Sequence, residues 1–280
     1  MDIAIVGATG NVGRKTLEVL EKKDLSIGNV YLLASSKSVG KKINFKGVDH
    51  DIDDLESFDF SKVKICFFAA GRKISEKFAE KAAKNCLVID NSSHFRMDPE
   101  VPLIVPQVNS EHLKNIKKNI IANPNCSTAQ LVIALKPLHD LFSIKRIVVS
   151  TYQSVSGGGK APMDELIEQT KLVLDGKKVK SKNFTKQIAF NAIPQIDVFS
   201  DDGYTKEEIK MTNETKKILD NKIDLTATCV RLPISVSHSE SVNIQFEKSF
   251  SIEKVKEALD SFEGCKVIDE REDGHYSTPV

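Results

Sequence analysis

The sequence predicts an α/β chain in two parts: a doubly wound, mostly parallel sheet over the first half, then an α+β arrangement. Three observations predict it. Short apolar runs alternate with helix-period stretches through the first half. A glycine-punctuated turn joins the first such run directly to a helical stretch, Gly7 to Gly13. In the second half the strand-like runs are longer and alternate apolar with polar residues, as half-buried strands do.

Taken in order, Ile3–Val6 reads as a buried strand and Val12–Lys22 as a helix. Val30–Ala34 is a second strand and Lys64–Ala69 a third, followed by a helix from Ile74 to Lys84. Leu87–Asp90 and Asn119–Ala122 are the fourth and fifth strands. Strands alternating with helices make βαβ units, whose crossovers lay strands parallel. Beyond them, Ala129–Leu141 reads as an apolar helix and Ile144–Val155 as a long strand. Pro162–Leu174 and Thr205–Asp220 are helical, and Leu225–Arg231 and Ser241–Phe246 are strands expected to pair more often antiparallel. Ile252–Phe262 is a last helix. The boundary is expected near residue 125, separating 1–125 from 126–280.

A chain of 280 residues is long enough for two such domains. Lys+Arg (40) and Asp+Glu (39) nearly cancel, so the basic excess that nucleic acid or a membrane surface would need is missing. No apolar run approaches the roughly 18 residues of a membrane span. The start, MDIAIVGATG, lacks a basic leader region and its apolar run breaks at Gly7, so a cytoplasmic protein is expected. Five scattered cysteines with no C-x-x-C pair argue against a disulfide framework or a zinc knuckle and for a reducing compartment. No metal is expected.

The turn Gly7-Ala8-Thr9-Gly10-Asn11-Val12-Gly13 has the spacing G-x-x-G-x-x-G between strand and helix. Glycines there let the backbone approach a pyrophosphate, and the helix N-terminus offers free N–H groups. An ordinary tight turn is the competing reading, but position at the chain start and context favour a dinucleotide site. The second strand ends Ser35-Ser36-Lys37-Ser38, without the acid that would hold a ribose 2′-hydroxyl. Hydroxyls and Lys37, with Lys41 nearby, suit a 2′-phosphate, so NADP is expected; the competing reading is a solvated polar loop.

The sharpest local signal is Asn123-Pro124-Asn125-Cys126-Ser127-Thr128-Ala129, a strand end running into a helix. This puts Cys126 at or just before a helix N-terminus, a position that favours thiolate and predicts a lowered pKa. Cys66, Cys86, Cys229 and Cys265 sit in strand-like or apolar surroundings and read as structural thiols. A nucleophilic cysteine beside a dinucleotide suggests one chemistry: a thiohemiacetal with an aldehyde, hydride transfer to nicotinamide, and a thioester opened by water or phosphate.

At this point the residues resemble a family. GATGNVG, the SSKSVGK loop, SSHFRMDPEVPLIVPQVN, NPNCSTAQ, TYQSVSGGGK, EEIKMTNETKKI and CVRLPISVSHSESV resemble, in order and over essentially the whole chain, segments of the aspartate-semialdehyde dehydrogenase family. The resemblance implies a Rossmann-type NADP-binding domain and an α+β catalytic and dimerisation domain, assembled as a homodimer or homotetramer. It implies NADPH-dependent reduction of L-aspartyl 4-phosphate to L-aspartate 4-semialdehyde, on the route to lysine (through diaminopimelate), threonine and methionine. Carried over by position, Cys126 resembles the acyl-thioester nucleophile, Gln153 the glutamine that orients the acyl group, and His238 the general acid/base. Arg231 resembles the clamp on the substrate carboxylate and Glu207 the acid facing its amino group. Arg96 and Lys210 resemble the phosphate-binding pair. Asn125 belongs with the substrate-binding residues, and Ser156 and Gly157 with the cofactor contacts.

Elementary chemistry agrees with these positions. Imidazole suits proton shuttling at neutral pH, and an arginine fork suits a carboxylate. Without the motif, His238 would read like His50, His94, His112, His139 and His275, as an ordinary surface or core histidine, and Arg231 equally as a surface arginine. Glu207 and Lys210, three apart on a helix, would read as a surface ion pair. The family is expected to run on past the Gly274–Val280 segment into a strand and a helix that return to the nucleotide domain, so a fragment or a natural loss of that tail is expected here. Two other readings stay open: a related N-acetyl-glutamyl-phosphate reductase, against which Glu207 speaks, and a truncated, nucleotide-binding, non-catalytic paralogue.

Overall fold

A computed structural model describes all 280 residues. The chain divides into two compact units, Met1–Ile104 with Ser110–Pro124, and Val105–Asn109 with Asn125–Val280.

The first unit holds β1 (Ile3–Val6), α1 (Asn11–Lys22), β2 (Val30–Ala34), β3 (Lys42–Phe45), β4 (Val48–Asp54), β5 (Ile65–Phe68), α2 (Arg72–Ala83), β6 (Leu87–Asp90) and β7 (Ile120–Ala122). They form one sheet in the order β3-β4-β2-β1-β5-β6-β7. All pairings are parallel except β3 with β4. Strand β1, at the centre of the sheet, is apolar throughout because both its faces are covered: Ile3, Ala4, Ile5 and Val6 are all buried. Leu17 and Leu20 of α1 close one face over Ile5 and Leu32.

The hairpin β3–β4 is not predicted by the sequence patterns. Its two-residue turn, Lys46-Gly47, has both φ angles positive (50° and 78°), the geometry that suits the right-handed twist of a tight hairpin. Lys-Gly between short polar strands is a faint signal, and β4 is buried only at Ile52 in its middle. The first helix also starts one residue earlier and the second two residues earlier than the periodicity predicts.

The second unit holds α3 (Pro106–Asn109), α4 (Cys126–Phe142), β8 (Ile144–Gln153), α5 (Lys160–Leu174), α6 (Lys206–Ile218), β9 (Asp224–Arg231), β10 (His238–Phe246) and α7 (Ile252–Asp260). Its sheet has the order β10-β8-β9. The expectation of antiparallel pairing holds for β8 with β10 only; β8 and β9 run parallel, because a long connection containing α5 and α6 returns the chain to the same end. The core packs Leu131, Leu135 and Leu138 of α4 and Met211 of α6 with Ile147, Val149, Leu225 and Ala227 of the sheet. Helix α4 continues through Pro137. The proline lacks the N–H that would reach the Ile133 carbonyl, and the Cys265 thiol lies 3.7 Å from that oxygen. No helix is long and apolar enough to cross a membrane.

Strand register in this sheet aligns three candidate site residues. Gln153, at the end of the central strand β8, is paired with His238 on one side and Arg231 on the other. Three side chains far apart in sequence therefore stand side by side on one rung of the sheet.

Candidate active site

In the first unit, a cleft of about 480 Å³ opens at the C-terminal ends of the parallel strands. Gly7, Thr9 and Gly10 line it after β1, Ser35 and Ser36 after β2, and Ala69 and Ala70 after β5. The chain leaves β1 for β2 on one side and reaches β5 on the other, so this is the switch point where open α/β sheets take ligands. The glycines are there for close approach. Gly7 has φ +84°, and a Cβ on it would lie 2.9 Å from the Ala69 backbone. A Cβ on Gly13 would lie 2.3 Å from the Gly7 carbonyl oxygen, so α1 can start tight against the turn only with glycine. Asn11 and Val12 form the first turn of α1. Lys37 and Ser38 follow in a short 3-10 turn and are not in the lining.

The acid-free end of β2 holds as expected, but the overlooked strand β4 brings carboxylates to the same cleft. Ala34 is paired with Asp54, and Asp54, Leu55 and Glu56 line the cavity beside Ser35 and Ser36. Asp54 accepts from the Glu56 N–H, and Glu56 pairs with Lys77 at 2.5 Å.

In the second unit, Cys126 is the first residue of α4 and Asn125 its N-cap, with Asn125 Oδ1 accepting from the N–H groups of Ser127 and Thr128. Cys126 Sγ stands 3.2 Å from His238 Nε2. On the far side of the ring, Nδ1 lies 2.8 Å from the Ser237 carbonyl and 3.1 Å from the Ser154 N–H. A base at Nε2 requires the tautomer in which Nδ1–H donates to Ser237 O; the Ser154 N–H favours the other.

The lowered Cys126 pKa expected from its helix position is overturned. Although solvent reaches it, protein surrounds the thiol on most sides, and burial raises its pKa; the Glu207 carboxylate raises it further. The Ser127 N–H and the Arg231 guanidinium work the other way and are outweighed. The His238 pKa is pushed down by burial, with Arg231 adding to the effect. The resting pair is therefore thiol and neutral imidazole, an acid beside a base able to take its proton. Of the other cysteines, Cys66, Cys86 and Cys229 are buried and Cys265 half-buried; burial pushes the Cys229 thiol up to about 12.

Around the pair stand most of the other candidates. Gln153 is buried, its amide 3.2 Å from Thr151 Oγ1 and 3.5 Å from Glu207 Oε1. Arg231 donates to the Ser154 carbonyl. Burial lowers its pKa while Glu207 opposes the shift. Gly157 follows Ser156 in a short 3-10 turn, and a Cβ on it would lie 3.2 Å from Arg231 Nη1 and 3.7 Å from His238 Nε2. Glu207 is buried and accepts from Asn125 Nδ2 at 2.8 Å. Lys210 bonds both Glu207 and Asp197. Burial works against the Lys210 charge, but the two carboxylates outweigh it and raise its pKa. Glu207 and Lys210 are thus an ion pair, as their spacing suggests, but one with the carboxylate inside the protein.

Arg96 belongs to the first unit, where it is buried and donates to the carbonyls of Asn91 and Asn123. Two carboxylates that bear on the site were missed in sequence. Glu214 accepts from the Asn125 backbone N–H at 2.5 Å, and Glu240, on β10, accepts from Gln130. Their spacing could have flagged them: Glu214 follows Glu207 by two helical turns, and Glu240 follows His238 by one strand repeat.

A nucleotide-type cleft at a sheet switch point and a thiol–imidazole pair on an α+β scaffold define a class, the two-domain oxidoreductases that combine a dinucleotide with a cysteine. The chain belongs to the semialdehyde dehydrogenase family: residues 2–116 match its NAD binding domain and residues 135–280 its dimerisation domain. It is 50% identical to aspartate-semialdehyde dehydrogenase of Aquifex aeolicus over 99% of this chain and 83% of the relative. Its fold matches that of aspartate semialdehyde dehydrogenase II from Vibrio cholerae complexed with ASA, with TM-score 0.92, 47% identity, and coverage of 94% of this chain and 79% of the other. It also matches the Candida albicans aspartate semialdehyde dehydrogenase with NADP, at TM-score 0.71 and 27% identity, over 94% of this chain and 76% of the other.

Proposed function

We propose that this chain reduces L-aspartyl 4-phosphate to L-aspartate 4-semialdehyde with NADPH, releasing phosphate through a thioester on Cys126. The observation that carries the reading is Cys126 Sγ at 3.2 Å from His238 Nε2, at the start of a helix. The names of the relatives agree with it.

His238 accepts the thiol proton as Cys126 Sγ attacks the acyl carbon, and the C–O bond to phosphate breaks. Arg96 and Lys210 counter the charge of the departing phosphate, which takes its proton from solvent. Gln153 holds the acyl oxygen in line. NADPH, when bound, supplies a hydride to the thioester carbon. The C–S bond then breaks, the aldehyde leaves, and His238 returns its proton to sulfur. Arg231 grips the substrate carboxylate with its free N–H groups. Glu207 faces the amino group, exchanging Lys210 for the substrate's ammonium.

The glycine cradle fits a dinucleotide. NADP is our reading on the hydroxyls of Ser35 and Ser36 in the lining and of Ser38 and the charge of Lys37 just beyond it, against the carboxylates of Asp54 and Glu56 that share the cleft, with Ser156 and Gly157 as further contacts. We place the enzyme in the cytoplasm, as a homodimer or homotetramer, in the biosynthesis of lysine, threonine and methionine. The test is phosphate-dependent NADP reduction with L-aspartate 4-semialdehyde, comparing this chain with Cys126→Ala. Activity is expected only with the cysteine; turnover by Cys126→Ala at an undiminished rate rules the thioester out.

A further inference from the structure

Residue Asn125 carries the nucleophile on its C-terminal side, and all of its polar groups are engaged. Its side-chain oxygen caps α4, and its carbonyl accepts from the Ala129 N–H. Its side-chain amide donates to Glu207 Oε1 and its backbone N–H to Glu214 Oε2. The last two partners lie on one helix, α6, seven residues apart, so they project from the same face. Glu214 is only 1% exposed. The N–H of an N-cap residue lies outside the helix ladder and needs an acceptor when buried. A carboxyl oxygen meets that need here, and acidic side chains are almost never buried this deep unless paired.

We propose that Glu214 is a positioning residue for the nucleophile. It pins the Asn125 backbone to α6 and so sets where the first turn of α4 presents Cys126 to His238. Helix α6 also carries Glu207 and Lys210, so the thiol is registered against the groups proposed to receive substrate. Without the second tether, Asn125 would be held to α6 by its flexible side chain alone, and Cys126 could swing relative to a base that must lie within hydrogen-bond reach.

The inference rests on Cys126 being the nucleophile. Its test separates the two, because thiol alkylation needs neither substrate nor cofactor. Glu214→Asp keeps the charge but draws the oxygen back by one methylene; Glu214→Gln keeps an acceptor oxygen in place and removes the charge. Each is assayed for kcat and KM, and for the pH dependence of iodoacetamide alkylation at Cys126, read by peptide mass. Glu214→Asp is expected to lose about 10- to 100-fold in kcat with KM changed less than about twofold. Its alkylation inflection should move to higher pH as the Ser127 N–H falls out of line. Glu214→Gln should stay near wild type in both. A purely structural role would lower the amount of folded protein and leave the alkylation profile of the folded fraction unmoved, which would overturn the proposal. So would Glu214→Gln proving the worse variant, because charge and not position would then be what matters. If Glu214→Asp fails to fold, Glu214→Ala, which removes the acceptor for the Asn125 N–H, is read in its place: a lowered kcat with the alkylation inflection moved to higher pH in its folded fraction supports the proposal, and an unmoved profile overturns it.

Discussion

Cys126 Sγ and His238 Nε2 stand 3.2 Å apart across 112 residues of sequence. Burial raises the pKa of one and lowers that of the other. A thiol in that state ionises at neutral pH only by handing its proton to the imidazole. His238→Ala is expected to lower activity at pH 7 by roughly 10²- to 10⁴-fold. The remainder should climb with pH as the thiol ionises unaided above its ordinary value. A pH–rate profile for the variant checks this; near-normal turnover at pH 7 would remove His238 from the mechanism.

Gly157 lies where a methyl group would crowd Arg231 Nη1 at 3.2 Å and His238 Nε2 at 3.7 Å. The first distance is tight enough that the guanidinium must give way. Because Arg231 is proposed to bind substrate, Gly157→Ala should raise KM for L-aspartate 4-semialdehyde by about tenfold, equivalent to about 1.4 kcal/mol, and leave melting temperature nearly unchanged. An unaltered KM would mean that the loop yields instead.

Gly13 meets a harder obstacle, since a Cβ there would lie 2.3 Å from a backbone oxygen. Gly13→Ala must push α1 away from the β1 turn. Overpacking of this kind costs about 1–3 kcal/mol, and the shift falls on the proposed dinucleotide cradle. NADPH titration by fluorescence should show affinity reduced about tenfold or more. Wild-type affinity would show that the cleft is not where the dinucleotide binds.

Burial raises the Glu240 carboxyl to a pKa of about 7, with the hydrogen bond from Gln130 opposing the shift. A carboxyl whose pKa is higher folded than unfolded contributes stability below its unfolded pKa. That contribution is lost as pH rises toward the folded value. Glu240→Gln should therefore melt higher than wild type at pH 8 and no higher at pH 4.5, by at most about 3 kcal/mol. Parallel melting curves at the two pH values would contradict an internal, reluctantly charged Glu240.

Much of the fold is legible in one dimension. Strands β1, β2 and β6 fall where their apolar runs predict, residue for residue, because parallel strands covered on both faces read as near-continuous apolar runs. The hairpin β3–β4 is not legible, since its strands are short and largely solvated and its turn carries a single glycine. That gap matters, because β4 ends on Asp54 and the turn after it carries Glu56, both in the lining of the cleft. The pKa of Cys126 escapes the sequence for a related reason. The helix N-terminus is visible in sequence, but the burial and the Glu207 carboxylate that outweigh it come from elsewhere in the chain.

By itself the sequence determined the family, the position of the nucleophile at a helix start and the glycine turn of the cleft. Each depends on contiguous residues, whose spacing dictates local geometry. Only the tertiary structure decided that His238, Gln153 and Arg231 share one rung, and that α6 holds Asn125 by two carboxylates. Both depend on strand register and helix packing, which bring distant segments together and are fixed by burial of the whole core, not by any local pattern.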